Sequence, residues 1–131
     1  MYVIDTNTLI YFFKGMGCVS EKFLEVSPKD IGIPSIVLYE LEYGIAKSTS
    51  PHKRQAQLKE LCSLVNILPF DDEAAKLSAS IRASLEKKGT PIGPHDILIA
   101  GTALANKGIL VTNNTKEFSR VSKLNLDNWY K

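Results

Sequence analysis

The sequence predicts an α/β sandwich on a mostly parallel sheet, and three observations carry that reading. Short apolar runs recur at 2–4, 31–33 and 109–111, continuous rather than alternating, as strands buried on both faces require. Between them lie longer stretches with helical spacing and helix-ending glycines or prolines. Polar residues follow the first and last of these runs directly, Asp5 and Thr112, and in parallel sheets sites form outside the carboxyl ends of the strands.

Each element follows from its residues. Tyr2–Ile4 is the first strand, and Thr6 or Asn7 caps a helix with Leu9, Ile10, Phe12 and Phe13 as its apolar residues. Gly15 and Gly17 end that helix. A second helix spans 19–26 and stops at Ser27-Pro28. After the strand at 31–33, Pro34-Ser35 turns into a helix over 36–47. Pro51 opens another helix to about residue 65, with Ala56, Leu58, Leu61, Cys62 and Val65 facing inward. A short strand at 67–68 precedes a long helix capped by Asp71 or Asp72, with Ala75, Leu77, Ala79, Ile81 and Leu85 as its apolar positions. Residues 89–94 are a breaker-rich loop, 95–106 a helix stopped by Gly108, and 124–126 a last strand.

The chain has 131 residues, enough for one domain over 1–131 with a real core. It is 44% hydrophobic and 23% charged, ordinary for a globular protein. No apolar run approaches the roughly 20 residues that span a bilayer. The N-terminus has neither a basic n-region nor a small-residue cleavage site, so a cytoplasmic location is expected. Cys18 and Cys62 read as reduced thiols in that compartment. A net charge of +2 permits a polyanionic partner without pointing to one.

Three acids stand where a merely solvated carboxylate is out of place. Asp5 ends an apolar strand. Glu40 sits within Ile36-Val37-Leu38-Tyr39-Glu40-Leu41. Asp96 separates Gly93-Pro94-His95 from Ile97-Leu98-Ile99-Ala100. A carboxylate withdrawn from water without a partner costs several kcal/mol or becomes neutral. A hard divalent cation relieves both that cost and the repulsion among clustered acids. Each acid also has a plainer reading: Asp5 as an N-cap, Glu40 on a solvated face beside Glu42, Asp96 as a first-turn acid favoured by the helix dipole. His52 reads as a surface residue and His95 as a capping or surface residue, and neither forms a Ser–His or Cys–His arrangement.

Val3-Ile4-Asp5-Thr6-Asn7, Leu38-Tyr39-Glu40-Leu41 with Tyr43-Gly44, the stretch from Gly89 to Asp96, and Val111-Thr112-Asn113-Asn114 through Phe118 together resemble a PIN domain. Over the whole length the chain is similar to VapC-type toxins of bacterial type II toxin–antitoxin systems. The resemblance implies a three-layer α/β/α fold and an endoribonuclease using Mg²⁺ or Mn²⁺, with Asp5, Glu40 and Asp96 as catalytic and metal-binding acids. It implies a VapB-type antitoxin, a homodimer and, from the Gly-Thr-Pro-Ile-Gly-Pro loop, cleavage of initiator tRNA in the anticodon stem-loop. Many PIN domains carry a fourth acid where this chain has Asn114, and Glu117 is a weaker stand-in. Asn7, Thr112, Asn113 and Asn114 are expected to orient the acids and water.

RNA binding needs positive charge near the acids. Arg82, within an amphipathic helix, is expected to pair with an acid of the site or a phosphate. Lys47 and Lys116 are further candidates, as are Lys53, Arg54, the Lys87-Lys88 pair and Arg120. Tyr11-Phe12-Phe13 is read as part of a face for dimerisation or antitoxin binding. Two enzyme alternatives fare worse. A haloacid-dehalogenase-type phosphatase needs a second acid at position 7, which is Asn, and a receiver domain needs an acidic pair and a lysine that are not evident. A binding-only module gains nothing from crowding carboxylates beside a polyanion.

Overall fold

Tyr2–Ile4 forms β1, and its Val3 and Ile4 are fully buried, each contributing about 1.5–3 kcal/mol through apolar burial. In the computed structural model, which describes residues 1–131, helix α1 (Thr6–Lys14) and helix α2 (Val19–Leu24) follow. A 3₁₀ turn at Pro28–Asp30 leads into β2 (Ile31–Pro34), then α3 (Ser35–Ala46), α4 (His52–Leu64) and β3 (Asn66–Leu68). The second half adds α5 (Asp72–Lys87), α6 (Pro94–Ala105), β4 (Ile109–Val111), α7 (Thr115–Phe118) and β5 (Asn125–Asp127).

The strand order is β3-β2-β1-β4-β5 and every pairing is parallel. Helices flank the sheet in the expected three-layer arrangement. The chain builds outward from β1 to β3 on one side, then crosses to β4 and β5 on the other. The reversal falls between β1 and β4, where a crevice opens at the carboxyl edge. Helices α1 and α3, which directly follow β1 and β2, begin at this edge. Helix α6, which leads into β4, runs antiparallel to it and so has its N-terminus at the same edge.

Three local features depart from the expectations. The cap of α1 is Asp5, not Thr6 or Asn7: Asp5 Oδ1 accepts the Thr8 N–H at 2.9 Å. On α4, Ala56 is exposed. On α5 the buried face is Ala74, Ser78, Ile81 and Leu85, while Ala75 and Ala79 face outward. Close approach of α5 to α6 sets that register. A Cβ at Gly101 would collide with Ser78 Oγ, and the Ser78 hydroxyl donates to the Ile97 carbonyl.

Gly15 ends α1 as expected, in the left-handed region at φ 67°, with its N–H returning to Phe12. The aromatic cluster just before it, Tyr11 to Phe13, is partly buried. Phe12 stacks on Phe23 at 4.4 Å between centroids and Tyr11 meets Tyr130 at 4.7 Å. Cys18 and Cys62 are free thiols. No helix is long and apolar enough to cross a membrane.

Candidate active site

Asp5 is the first residue beyond β1, held in place because its backbone N–H continues the ladder to Val111 of β4. Only 5% exposed, it is largely cut off from the solvent that would stabilise its charge. The Thr112 hydroxyl, first beyond β4, donates to Asp5 Oδ2 at 2.5 Å, bridging the two strands on either side of the crevice. Burial pushes the Asp5 carboxyl above its usual range, partly offset by these hydrogen bonds, and the Glu40 charge raises it further.

Glu40 reaches the same edge from α3. The Thr6 hydroxyl donates to its Oε1 at 2.6 Å, and His95 Nδ1 lies 3.3 Å from its Oε2. Asp96 comes from the first turn of α6. Burial raises its pKa to about 7, with the hydrogen bond and charge of Glu117 next and the charges of Glu40 and Asp5 after them. Glu117, on α7, is the fourth member. Its Oε1 accepts the Gly93 N–H at 3.0 Å and its Oε2 accepts from Asn114 Nδ2 at 2.9 Å. These donors, the Gly93 N–H first, hold Glu117 below its usual range, so the proton shared by the pair sits on Asp96.

Asp5, Glu40 and Asp96 thus meet at one crevice, joined by the acid ranked last in the sequence. No trio of His, Cys, Asp or Glu side chains is closed tightly enough to hold an ion as it stands. Asp5, Glu40 and Glu117 are each held by donors of their own: Thr112 and the Thr8 N–H, Thr6, and the Gly93 N–H with Asn114. The donor set itself suits a hard cation, being carboxylate oxygen from four elements around one crevice. A divalent ion held by these acids would offset their negative charge.

Other expected contributors divide. Thr112 and Asn114 do touch the acids. Asn7 is exposed and hydrogen-bonds none of them, its expected place being taken by Thr6. The Asn113 side-chain oxygen, Oδ1, accepts from Asn128 Nδ2 at 3.1 Å and so ties down residues near 128. Arg82 pairs with neither an acid of the site nor the crevice: it faces solvent and meets Glu86 one turn along α5 at 3.3 Å. Lys47 lies over the Tyr43 ring, and Lys116 is exposed on α7. The cations that share a groove with Glu40 are instead Lys14, Lys53 and Arg54. With Glu40 they line a groove of about 470 Å³ between α1, α3 and α4, and none of the three has a carboxylate partner. A second groove, about 360 Å³ and more apolar, runs beside it along Phe12, Phe13, Leu61 and Leu64.

The PIN domain family model matches residues 2–124. A ribonuclease VapC2 of Rickettsia felis is 39% identical over 133 residues, covering 100% of this chain and 99% of the relative. A tRNA(fMet)-specific endonuclease VapC of Salmonella typhimurium is 36% identical over 128 residues, covering 98% and 97%. Among solved structures, VapBC2 of Rickettsia felis bound to a promoter DNA fragment aligns with a TM-score of 0.91 at 37% identity, covering 98% of both chains. DNA-bound VapBC of Salmonella typhimurium also aligns at 0.91, with 37% identity over 98% and 97%. The motifs, the sheet order and these matches agree: the chain belongs to the PIN domain family, among its VapC ribonucleases.

Proposed function

We propose that the chain is the toxin of a type II toxin–antitoxin pair and acts as a divalent-metal-dependent endoribonuclease through Asp5, Glu40, Asp96 and Glu117. The observation that carries this reading is the convergence of four carboxylates at the β1/β4 crevice, where Asp96, raised chiefly by its burial, also feels the charges of Glu117, Glu40 and Asp5. Residues 1–131 work as one nuclease domain in the cytosol. The activity follows the relatives that bear the ribonuclease name.

Asp5 and Asp96 would ligate the cation directly, Mg²⁺ or Mn²⁺, with Glu40 and Glu117 completing the site directly or through water. A bound cation supplies charge neutralisation at the phosphoryl oxygens and an acidified water. Thr112 and the Thr8 N–H fix both Asp5 oxygens. Glu40 Oε2 takes the proton of the attacking water, with His95 Nδ1 3.3 Å behind it as a relay. Direct attack by water needs no 2′-hydroxyl, so the products carry 5′-phosphate and 3′-hydroxyl ends. Lys14, Lys53 and Arg54 hold the RNA backbone alongside Glu40.

The substrate we assign is initiator tRNA, cut in the anticodon stem-loop, after the relative named for tRNA(fMet). The inhibitor is a VapB-type antitoxin, after the VapBC complexes among the solved relatives, bound to a toxin homodimer. Its segment lies in the Phe12–Leu64 groove and directs a basic side chain to the acids. The test is cleavage of initiator tRNA by the purified chain in Mg²⁺. Activity that is abolished by EDTA and restored by excess Mg²⁺ supports the reading; cleavage persisting in EDTA sinks it.

A further inference from the structure

Helix α3 carries two tyrosines that the core does not use. Tyr39 and Tyr43 are each 58% exposed and stand one turn apart, so their rings share a stripe of the helix. Lys47, one turn further, lays its ammonium over the Tyr43 ring at 4.7 Å from the centroid. At the opposite end His95 stands edge-on to Tyr39, with centroids 5.7 Å apart, and the same His95 contacts Glu40. The stripe therefore starts at the acid cluster and runs aromatic, aromatic, cation.

We propose that Tyr39 and Tyr43 form a stacking platform for unpaired nucleotides beside the scissile bond, which makes them specificity-determining residues. This rests on the reading of the acid cluster as a ribonuclease site. A tyrosine ring has two flat faces, so Lys47 over one face of Tyr43 leaves the opposite face to a base, and its ammonium suits a phosphate that joins neighbouring bases. Bases within a duplex have no free face to give, so the platform selects a loop over a stem. Other large exposed apolar side chains lie on different elements: Leu24 on α2, Leu64 on α4 and Ile67 on β3. Through His95 the stripe adjoins Glu40, the place that a nucleotide next to the scissile bond must occupy. Charge and chemistry both favour a nucleic acid here.

The experiment compares cleavage of a short RNA stem-loop, and of the same sequence paired as a blunt duplex, by wild type, Tyr39→Ala, Tyr43→Ala, Tyr43→Leu and Tyr43→Phe in Mg²⁺. Expected are a preference of wild type for the stem-loop and a KM about tenfold higher or more for the Ala and Leu variants. Expected too are kcat within about twofold of wild type, recovery in Tyr43→Phe, and unchanged melting temperature and mass by light scattering. Wild-type KM in the Ala variants overturns the proposal. So does a rise in KM that coincides with dissociation of a dimer, which assigns the face to a second copy. Intact cleavage with lost antitoxin inhibition assigns it to a protein partner and overturns the proposal as well. Should wild type cleave neither RNA, the ribonuclease reading falls, and anisotropy of a labelled stem-loop in EDTA still decides the platform: weaker binding by Tyr43→Ala than by Tyr43→Phe sustains it, equal binding ends it.

Discussion

The Thr6 hydroxyl donates to Glu40 Oε1 at 2.6 Å, tying the first turn of α1 to the second turn of α3 across 34 residues of sequence. Because Asp5 caps α1, Thr6 is free for this contact. Thr6→Val keeps the shape of the side chain and removes the donor, so Glu40 loses its fixed orientation. Cleavage in Mg²⁺ is expected to fall by about tenfold, the equivalent of one such hydrogen bond, while Thr6→Ser stays near wild type. A wild-type single-turnover rate for Thr6→Val in a folded protein shows that the bond is ornamental to catalysis.

Removing a ligand together with its charge has a larger effect. Asp5→Asn and Asp96→Asn are each expected to lower the cleavage rate by ~10² or more at saturating Mg²⁺. In EDTA the Asp96→Asn protein is expected to melt no lower than wild type, since it removes repulsion without removing a cap. Loss of stability in EDTA with undiminished cleavage would instead assign Asp96 to structure.

Stability of the metal-free protein should depend on pH in a definite direction. Asp96 titrates near 3.8 when unfolded and near 7 when folded, because burial and the neighbouring acids disfavour its charge. Between about pH 4 and 7 the folded chain binds a proton that the unfolded chain releases, so stability falls as pH rises through that window. Asp5, raised by burial, adds with the same sign. Melting temperatures in EDTA from pH 5 to 7.5 are expected to decline for wild type and more weakly for Asp96→Asn. Stabilisation by Mg²⁺ should grow over the same range, as the competing proton leaves.

After burial, Glu117 is the strongest influence that keeps the proton on Asp96. Glu117→Gln removes the acceptor and the closest negative charge, so Asp96 should ionise at lower pH. The pH midpoint of Mg²⁺ binding, followed by calorimetry, is expected to move to a lower value, and cleavage at neutral pH to drop by about tenfold. An unmoved midpoint contradicts the shared-proton arrangement.

Inhibition by the antitoxin is expected to separate from its binding. A peptide that occupies the groove of Phe12, Phe13, Leu61 and Leu64 but has its basic residues changed to Ala should still bind and no longer block cleavage. Equal inhibition by the altered peptide means that steric cover suffices.

Much of this was legible in residue order, because burial leaves a strong mark on short strands. Apolar runs at β1, β2 and β4 can only be satisfied inside a covered parallel sheet, and Asp5, Glu40 and Asp96 stand out against apolar neighbours. Glu117 does not: its partner is the Gly93 N–H in an irregular loop, and no periodicity links a loop to α7. Thr6 reads as a cap until Asp5 is seen to do that work. Arg82 was misplaced for a different reason. Alternating alanines and serines leave the inner face of α5 undetermined by hydrophobicity, and the choice is made by the closeness of Ser78 to Gly101. That contact turns Arg82 outward to Glu86.

The bridge between Asp5 and Thr112 joins residues 107 positions apart, at the seam between the two halves of the sheet. Contacts of such separation form late, because the intervening chain must first be ordered, and no local segment can reproduce them. A partly folded or nicked molecule therefore has no reduced version of this crevice; it has none. Nuclease activity arrives with completed topology and disappears with it, so a cell harbouring misassembled copies of this chain is exposed to inert protein rather than to a weak toxin.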